Sequence, residues 1–376
     1  MKDVEQQRKS WRWKAKEVAK NVVAPRATEI DIKGEFPQDI AEAFFQNGIL
    51  NLLIPKEYGG GGADITSYCI VIEEIAYYCV TSSLLIVVQA VGSMPIVLGG
   101  RPDLKDHFLR KMTNEYSLIS FCLTEPDAGS DSASIRTKAL LQDGQYLIDG
   151  RKCFISNGGV SDLYTVFAIS GPTKGIKGIS AFVVERRSSG LSIGKTEDKM
   201  GIRGSNTTEV IFEDMKVPEE QRIGVEGEGW WLAMRTLNRS RPGIGAQAVG
   251  LSQGALDYVV QFGQEKNWFQ KETGIHFMLA DMAIEIEAAR ALVYKAASII
   301  DEKVKGVSVE KFSAMSKYFA ADVAMKVTTE AVQIMQWHGL IRDHPVERMM
   351  GDAKIIQIYE GTNQIQRMVV AHTLLK

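Results

Sequence analysis

Residues 138–150 read KALLQDGQYLIDG. The central pair Asp143-Gly144 marks a tight hairpin, because aspartate and glycine tolerate the left-handed backbone that a two-residue turn between twisted strands requires. Asp149-Gly150 marks a second turn six residues on. On either side, Tyr116 to Leu123, Leu163 to Ile169, Ser180 to Val184 and Glu209 to Phe212 are short β-favouring runs joined by turns and not by helices. Strands spaced this closely predict an antiparallel sheet or small barrel over residues 116–220, not a parallel βαβ sheet.

The flanks obey a different period. Residues 1–115 read as helical, interrupted at Phe36-Pro37 and by the run Ile54-Pro55-Lys56-Glu57-Tyr58 that enters four glycines, Gly59 to Gly62. Beyond 221, Leu279, Met282, Ile286, Ala289, Val293, Ala296 and Ile300 recur at alternating spacings of three and four, which puts them on one face of a long helix. Phe312, Met315, Phe319, Val323, Val327, Ala331 and Ile334 form a second stripe, and two such seams predict a bundle that self-associates. The expected architecture is α+β: an N-terminal helical domain (1–115), a middle antiparallel β-domain (116–220) and a C-terminal helical bundle (221–376).

Composition removes several functions. With 44 Lys+Arg against 46 Asp+Glu, the chain carries no basic footprint for a nucleic acid backbone. Cys69, Cys79, Cys122 and Cys153 lack metal-cluster spacing and read as reduced thiols of a cytoplasmic protein. The most apolar stretch, Leu84 to Leu98, is broken by Gln89, Gly92, Ser93 and Pro95; it reads as a buried helix and not a membrane span. The N-terminus has no apolar secretory region, and its basic face makes a mitochondrial presequence the lesser alternative. His107, His276, His338, His344 and His372 never take zinc-ligand spacing, so no metal is expected. No P-loop, dinucleotide fingerprint or GxSxG elbow is present.

Seven further strings lie in register along nearly the whole chain: IPKEYGG at 54–60, LTEPDAGSD at 123–131, KCFISNG at 152–158, KMGIRGS at 199–205, RPGIGAQAVG at 241–250, PVER at 345–348 and IYEGTNQIQR at 358–367. Together they resemble the acyl-CoA dehydrogenase family of flavoenzymes. The resemblance implies a C-terminal four-helix bundle, FAD as cofactor, a homotetramer, and α,β-dehydrogenation of an acyl-CoA thioester, with electrons passing to an electron-transfer flavoprotein. It also makes Glu360 the base that takes the weakly acidic α-proton, a task that demands a dry pocket where carboxylate basicity is raised. The alternative base position of some members falls at Ser240, which cannot serve.

By the same resemblance Phe121, Leu123 and Thr124 lie along the flavin ring, with Gly129 and Ser130 in the adjoining turn. Ser156 reaches the ring's N5 region, and Phe154 covers its face where many members have Trp. Ser130, Asn238, Arg241, Tyr359 and Gly361 hold the thioester arm, and Thr362 and Gln364 contact the adenosine end of FAD.

The sequence departs from the family where a neighbouring subunit is expected to secure the distant half of FAD. Lys266-Asn267-Trp268-Phe269-Gln270 is one counterpart of the usual RxQFG segment, placing Lys266 and Phe269 on the cofactor; Gln261-Phe262-Gly263 is the other. Lysine lacks the bidentate fork of arginine. Gln333 is retained, but Gln336-Trp337 replaces a glycine pair and Gly351 a customary arginine. Two competing readings follow: an enoyl-CoA reductase or acyl-CoA oxidase on the same site, and a flavin-poor acyl-CoA-binding scaffold.

Overall fold

The computed structural model describes residues 2–171, 175–270 and 273–375. The N-terminal block holds α1 (Lys2–Val18), α2 (Ala27–Lys33), α3 (Gln38–Gln46), α4 (Ile65–Ala76), α5 (Val80–Gly99) and α6 (Pro102–Asn114). Apolar on every face, α5 is long enough to cross a membrane, yet 94% of its most apolar window is covered by protein. That is the behaviour of a core helix.

The strands are β1 (Ile119–Cys122), β2 (Lys138–Gln142), β3 (Gln145–Ser156), β4 (Leu163–Ile169), β5 (Ile179–Glu185), β6 (Leu191–Thr196), β7 (Thr207–Pro218) and β8 (Arg222–Ile223). They form one sheet in the order β6-β7-β3-β2-β4-β5-β8. Asp143 and Gly144 turn the β2–β3 hairpin with φ of 49° and 75°, the left-handed pair the sequence demands. Asp149-Gly150 is not a turn. β3 runs straight through it, and the bulge opposite belongs to β7, where two residues, Glu213 and Asp214 (φ 48°), stand between the partners of Ile148 and Gly150. Nor is the pairing wholly antiparallel: β1 runs parallel to β4, as does the single β2–β4 pair Lys138–Ile169. Spacing along a sequence identifies strands without naming their partners, and β1 reaches β4 only after the β2–β3 hairpin has intervened.

The C-terminal block is α7 (Gly229–Glu265), α8 (Thr273–Asp301), α9 (Val309–Met335), α10 (Val346–Ile356) and α11 (Asn363–Leu374). On α8 the stripe Met282, Ile286, Ala289, Val293 and Ala296 is buried as its period predicts. On α9 the first half of the expected stripe is corrected: Phe312, Met315 and Phe319 are half-buried, while Ser313, Ser316, Lys317, Ala320 and Ala321 are fully buried. Small residues win there because α9 packs closely on α7. The α4–α7 crossing is tighter still, since a Cβ on Gly250 would stand 2.2 Å from the Glu73 carbonyl oxygen. Gly250→Ala should therefore cost about 1–3 kcal/mol through forced separation of the two helices. A denaturant midpoint equal to wild type would contradict that packing account.

Candidate functional site

Between α10 and α11 the chain reverses through Glu360 and Gly361, consecutive left-handed residues with φ of 51° and 91°. Glycine takes this conformation freely, but a glutamate held there costs about 1–3 kcal/mol, so the surroundings must impose it. They do so through the main chain. The Gln366 side-chain amide donates to the carbonyls of Glu360 (3.3 Å) and Gly361 (3.0 Å). Lys317 Nζ donates to the Gly361 carbonyl and to Asn363 Oδ1, both at 2.9 Å. Asn363 in turn donates to Asp322 Oδ1 at 2.7 Å, tying the loop to α9.

The Glu360 carboxylate points inward even though the residue as a whole is only half-buried. Its Oε2 accepts the Ser240 hydroxyl at 2.9 Å, while Oε1 is sealed from solvent with no partner among the described residues. Burial raises its pKa to about 7, against the opposing pull of the Ser240 hydrogen bond and of the Arg241 and Lys317 charges. Arg241 is itself buried and donates to Asn238 Oδ1 at 2.8 Å. Tyr359 donates its hydroxyl to Gln247, whose amide donates to Ser83 Oγ (2.8 Å) and the Val80 carbonyl (3.2 Å). Tyr68, fully buried on α4, has no hydroxyl partner among the described residues. The resulting site is a dry pocket with one free carboxylate oxygen poised near neutrality, the requirement for a general base. Outside it, Arg235, Asn238, Arg239 and Lys303 line an open cavity of about 470 Å³.

A second group of expected residues assembles on the sheet. The Cys153 N–H donates to the Thr124 carbonyl at 3.0 Å, and Ser120 Oγ to the Ser156 carbonyl at 2.9 Å, so residues 121–124 and 153–156 form one ledge. Phe121 and Ser156 are half-buried, Leu123 is buried, and Gly129 and Ser130 lie exposed in the adjoining turn. At a second slip in the β3–β7 register, between Lys152 and Ile155, Phe154 takes φ 54° and stands 64% exposed. Beneath the ledge Lys152, fully buried, donates to Glu125 Oε1 (2.8 Å) and to the Leu123 carbonyl (3.0 Å). Glu125 also accepts from Thr137 N–H and Oγ1 and from Arg136 N–H. Burial pushes its carboxyl up, but Lys152 and these donors outweigh that and hold it below its ordinary value.

Other expected residues are not brought to this place. Thr362 Oγ1 accepts from Ile365 N–H and caps α11, with Gln364 exposed on its first turn. From Ser240 to Lys266, 26 residues of α7 and its C-cap span about 39 Å at 1.5 Å per residue. There Lys266 Nζ lies 5.5 Å from the Phe262 ring centroid, and Phe269 packs on Gly263. Gln333 is exposed near the end of α9, where Gln336 adopts φ 54° and ψ −135°. Trp337 stacks on His338 with ring centroids 3.6 Å apart. Among the described residues no cluster could hold a metal ion.

Lys317, Asn363, Gln366, Gln247, Tyr68 and the Lys152–Glu125 pair escaped the sequence reading. Glu125, Lys152, Gln247, Asn363 and Gln366 stand inside the family strings without a role attached, while Lys317 carries a signal of its own: with Ser313, Ala320, Ala324, Val327 and Ala331 it lies on a four-three helical face that is otherwise apolar or small.

Family models match the acyl-CoA dehydrogenase N-terminal domain at residues 5–115, the middle domain at 120–215 and the C-terminal domain at 227–375. The chain belongs to the acyl-CoA dehydrogenase family. It is 46% identical over 358 residues to the cyclohex-1-ene-1-carbonyl-CoA dehydrogenase of Syntrophus aciditrophicus, covering 94% of this chain and 86% of that one. Among solved structures it is similar to the butyryl-CoA dehydrogenase of Megasphaera elsdenii, with TM-score 0.94, 40% identity and 98% of each chain covered. A structure described as the electron transferring flavoprotein of Acidaminococcus fermentans matches with TM-score 0.95, 40% identity and the same coverage. The family's members are FAD-dependent oxidoreductases. The ledge suits such a cofactor, offering apolar Leu123 and exposed Phe154 beside the polar Thr124 and Ser156.

Proposed function

We propose that this chain converts an acyl-CoA thioester to the trans-2-enoyl-CoA, with Glu360 removing the α-proton. The sealed, singly hydrogen-bonded carboxylate at about 7 carries this reading. FAD, when bound, supplies the acceptor for the hydrogen leaving Cβ as hydride. Phe121, Leu123, Thr124, Ser156 and Phe154 hold the flavin end, with Gly129 and Ser130 at its margin. Thr362 and Gln364 take the adenosine end, to which Lys266, Phe269 and Gln333 of a neighbouring copy in a homotetramer contribute. Lys266 stands about 39 Å along α7 from Ser240, which supports assigning it to the adenosine end of a cofactor whose flavin end lies beside another copy's Glu360.

Ser130, Asn238, Arg241, Tyr359 and Gly361 orient the thioester, and the cavity edged by Arg235, Arg239 and Lys303, three cations against the single carboxylate of Glu310, suits the anionic part of CoA. Electrons then pass to an electron-transfer flavoprotein in the cytoplasm. The relative's name makes an alicyclic carbonyl-CoA a candidate substrate beside straight short chains.

The test is the visible spectrum of the purified protein before and after FAD addition, followed by anaerobic mixing with butyryl-, cyclohexane-1-carbonyl- and cyclohex-1-ene-1-carbonyl-CoA. A flavin band that bleaches with butyryl- or cyclohexane-1-carbonyl-CoA is expected; bleaching by cyclohex-1-ene-1-carbonyl-CoA alone, whose α-carbon carries no hydrogen, would count against α-proton removal by Glu360. No band after FAD addition would favour the scaffold reading, and a flavin bleached by none of the panel would count against dehydrogenation of these substrates.

A further inference from the structure

The geometry points to Lys317 as a positioning residue for Glu360: its ammonium, planted in the core of α9, clamps the Gly361 carbonyl and Asn363 and so holds the carboxylate of the preceding residue against Ser240. The inference rests on Glu360 being the base, and it concerns a group that never touches substrate.

Three observations carry it. Lys317 is fully buried, an arrangement lysine avoids unless its charge is matched. Its two hydrogen bonds go to the main chain and to the N-terminus of α11 on the loop that carries Glu360, with no direct bond to that carboxylate. The loop it grips contains the left-handed glutamate, a conformation that an L residue keeps only where its surroundings hold it. Gln366 shares the Gly361 carbonyl with Lys317 and alone holds the Glu360 carbonyl, so the two side chains grip adjoining points of one loop. Lys317 differs from Gln366 in carrying charge toward the pocket.

The charged and titratable groups around this point are Tyr68 from α4, Arg241 from α7, Lys317 and Asp322 from α9, and Tyr359 and Glu360 from the loop. Burial lowers Lys317 to about 7 while Glu360 favours its charged form, so the two are electrostatically coupled. Removing the lysine leaves Arg241 as the remaining nearby cation, and the carboxylate becomes harder to ionise.

The experiment compares wild type, Lys317→Met, Lys317→Gln and Glu360→Gln, each checked for native circular dichroism and FAD content. Single-turnover flavin reduction is followed against pH, and the carboxyl stretch of substrate-free protein is titrated by infrared difference, with Glu360→Gln as the blank. Lys317→Met should slow reduction at least tenfold at saturating acyl-CoA, with little change in the half-saturating concentration. Lys317→Gln, which keeps a donor without charge, should recover part of the rate. Both should move the Glu360 titration to higher pH. A folded, flavin-loaded Lys317→Met with wild-type rate and titration overturns the assignment; if that variant does not fold, the same result in Lys317→Gln does so. Rapid reduction by Glu360→Gln would instead remove the base reading itself, which separates the two failures.

Discussion

Glu360→Gln should slow flavin reduction by acyl-CoA by about 10²–10⁴-fold, the range over which a positioned proton acceptor accelerates a reaction. The amide is nearly isosteric and still accepts from Ser240, so the loop, its clamps and flavin binding should be unchanged. A variant that lost both rate and flavin would show that the side chain shapes the site and not only its proton chemistry. The wild-type rate should rise with pH through about 7, because the ionised carboxylate is the active form and burial has lifted its pKa to that range.

Stability should move the other way. A carboxyl whose folded pKa exceeds the ordinary 4.5 stabilises the fold fully below 4.5, and that stability is lost as pH rises through about 7. Glutamine cannot titrate, so wild type should lose stability relative to Glu360→Gln across this window. Parallel denaturant melts at pH 4.5 and 8 measure the difference, and equal differences at the two values would mean that the carboxyl is not held protonated by the fold.

The largest expected loss of stability comes from Lys152→Met. The substitution preserves much of the volume but strands the Glu125 carboxylate beneath the ledge, and breaking one partner of a buried ion pair costs about 3–5 kcal/mol. Thr137 and Arg136 still donate to Glu125, which places the result toward the lower end of that range. Adding Glu125→Gln to Lys152→Met should return a substantial part of the loss, since no buried charge then remains uncompensated. A single-variant loss under about 1 kcal/mol in urea melts at pH 7 would show that water reaches the pair. The ledge should report the same event through its cofactor: Lys152 also holds the Leu123 carbonyl, so weaker FAD retention is expected alongside the stability change.

Local rules read well from sequence wherever one residue type determines one geometry. Asp143-Gly144 could hardly be anything but a hairpin, and the seam of α8 follows from its spacing. Reading failed where a geometry depends on a distant partner. Asp149-Gly150 has turn chemistry, but β7 pairs across it and keeps it in the strand, taking the bulge in its own chain. Phe312, Met315 and Phe319 are the larger apolar residues of early α9, yet the close approach of α7 selects Ser313, Ser316 and Ala320 for burial. At the site, family strings led to Glu360 and the ledge residues, whereas Gln366 and Gln247 stand in those strings with nothing to name their partners and Tyr68 stands outside them. Their significance arises from what stands opposite them after folding.

The unbroken helix from Gly229 to Glu265 acts as a ruler with a phase. Each residue advances it by 1.5 Å and turns it by about 100°. Deleting one residue between Ser240 and Lys266 would shorten that span only slightly, but it would rotate everything beyond the deletion by more than a quarter turn relative to the Glu360 pocket. The connection between α8 and α9 can absorb a change in length by local rearrangement; α7 cannot. Length changes should therefore be tolerated in loops such as residues 302–307, whereas along α7 only substitution keeps the phase.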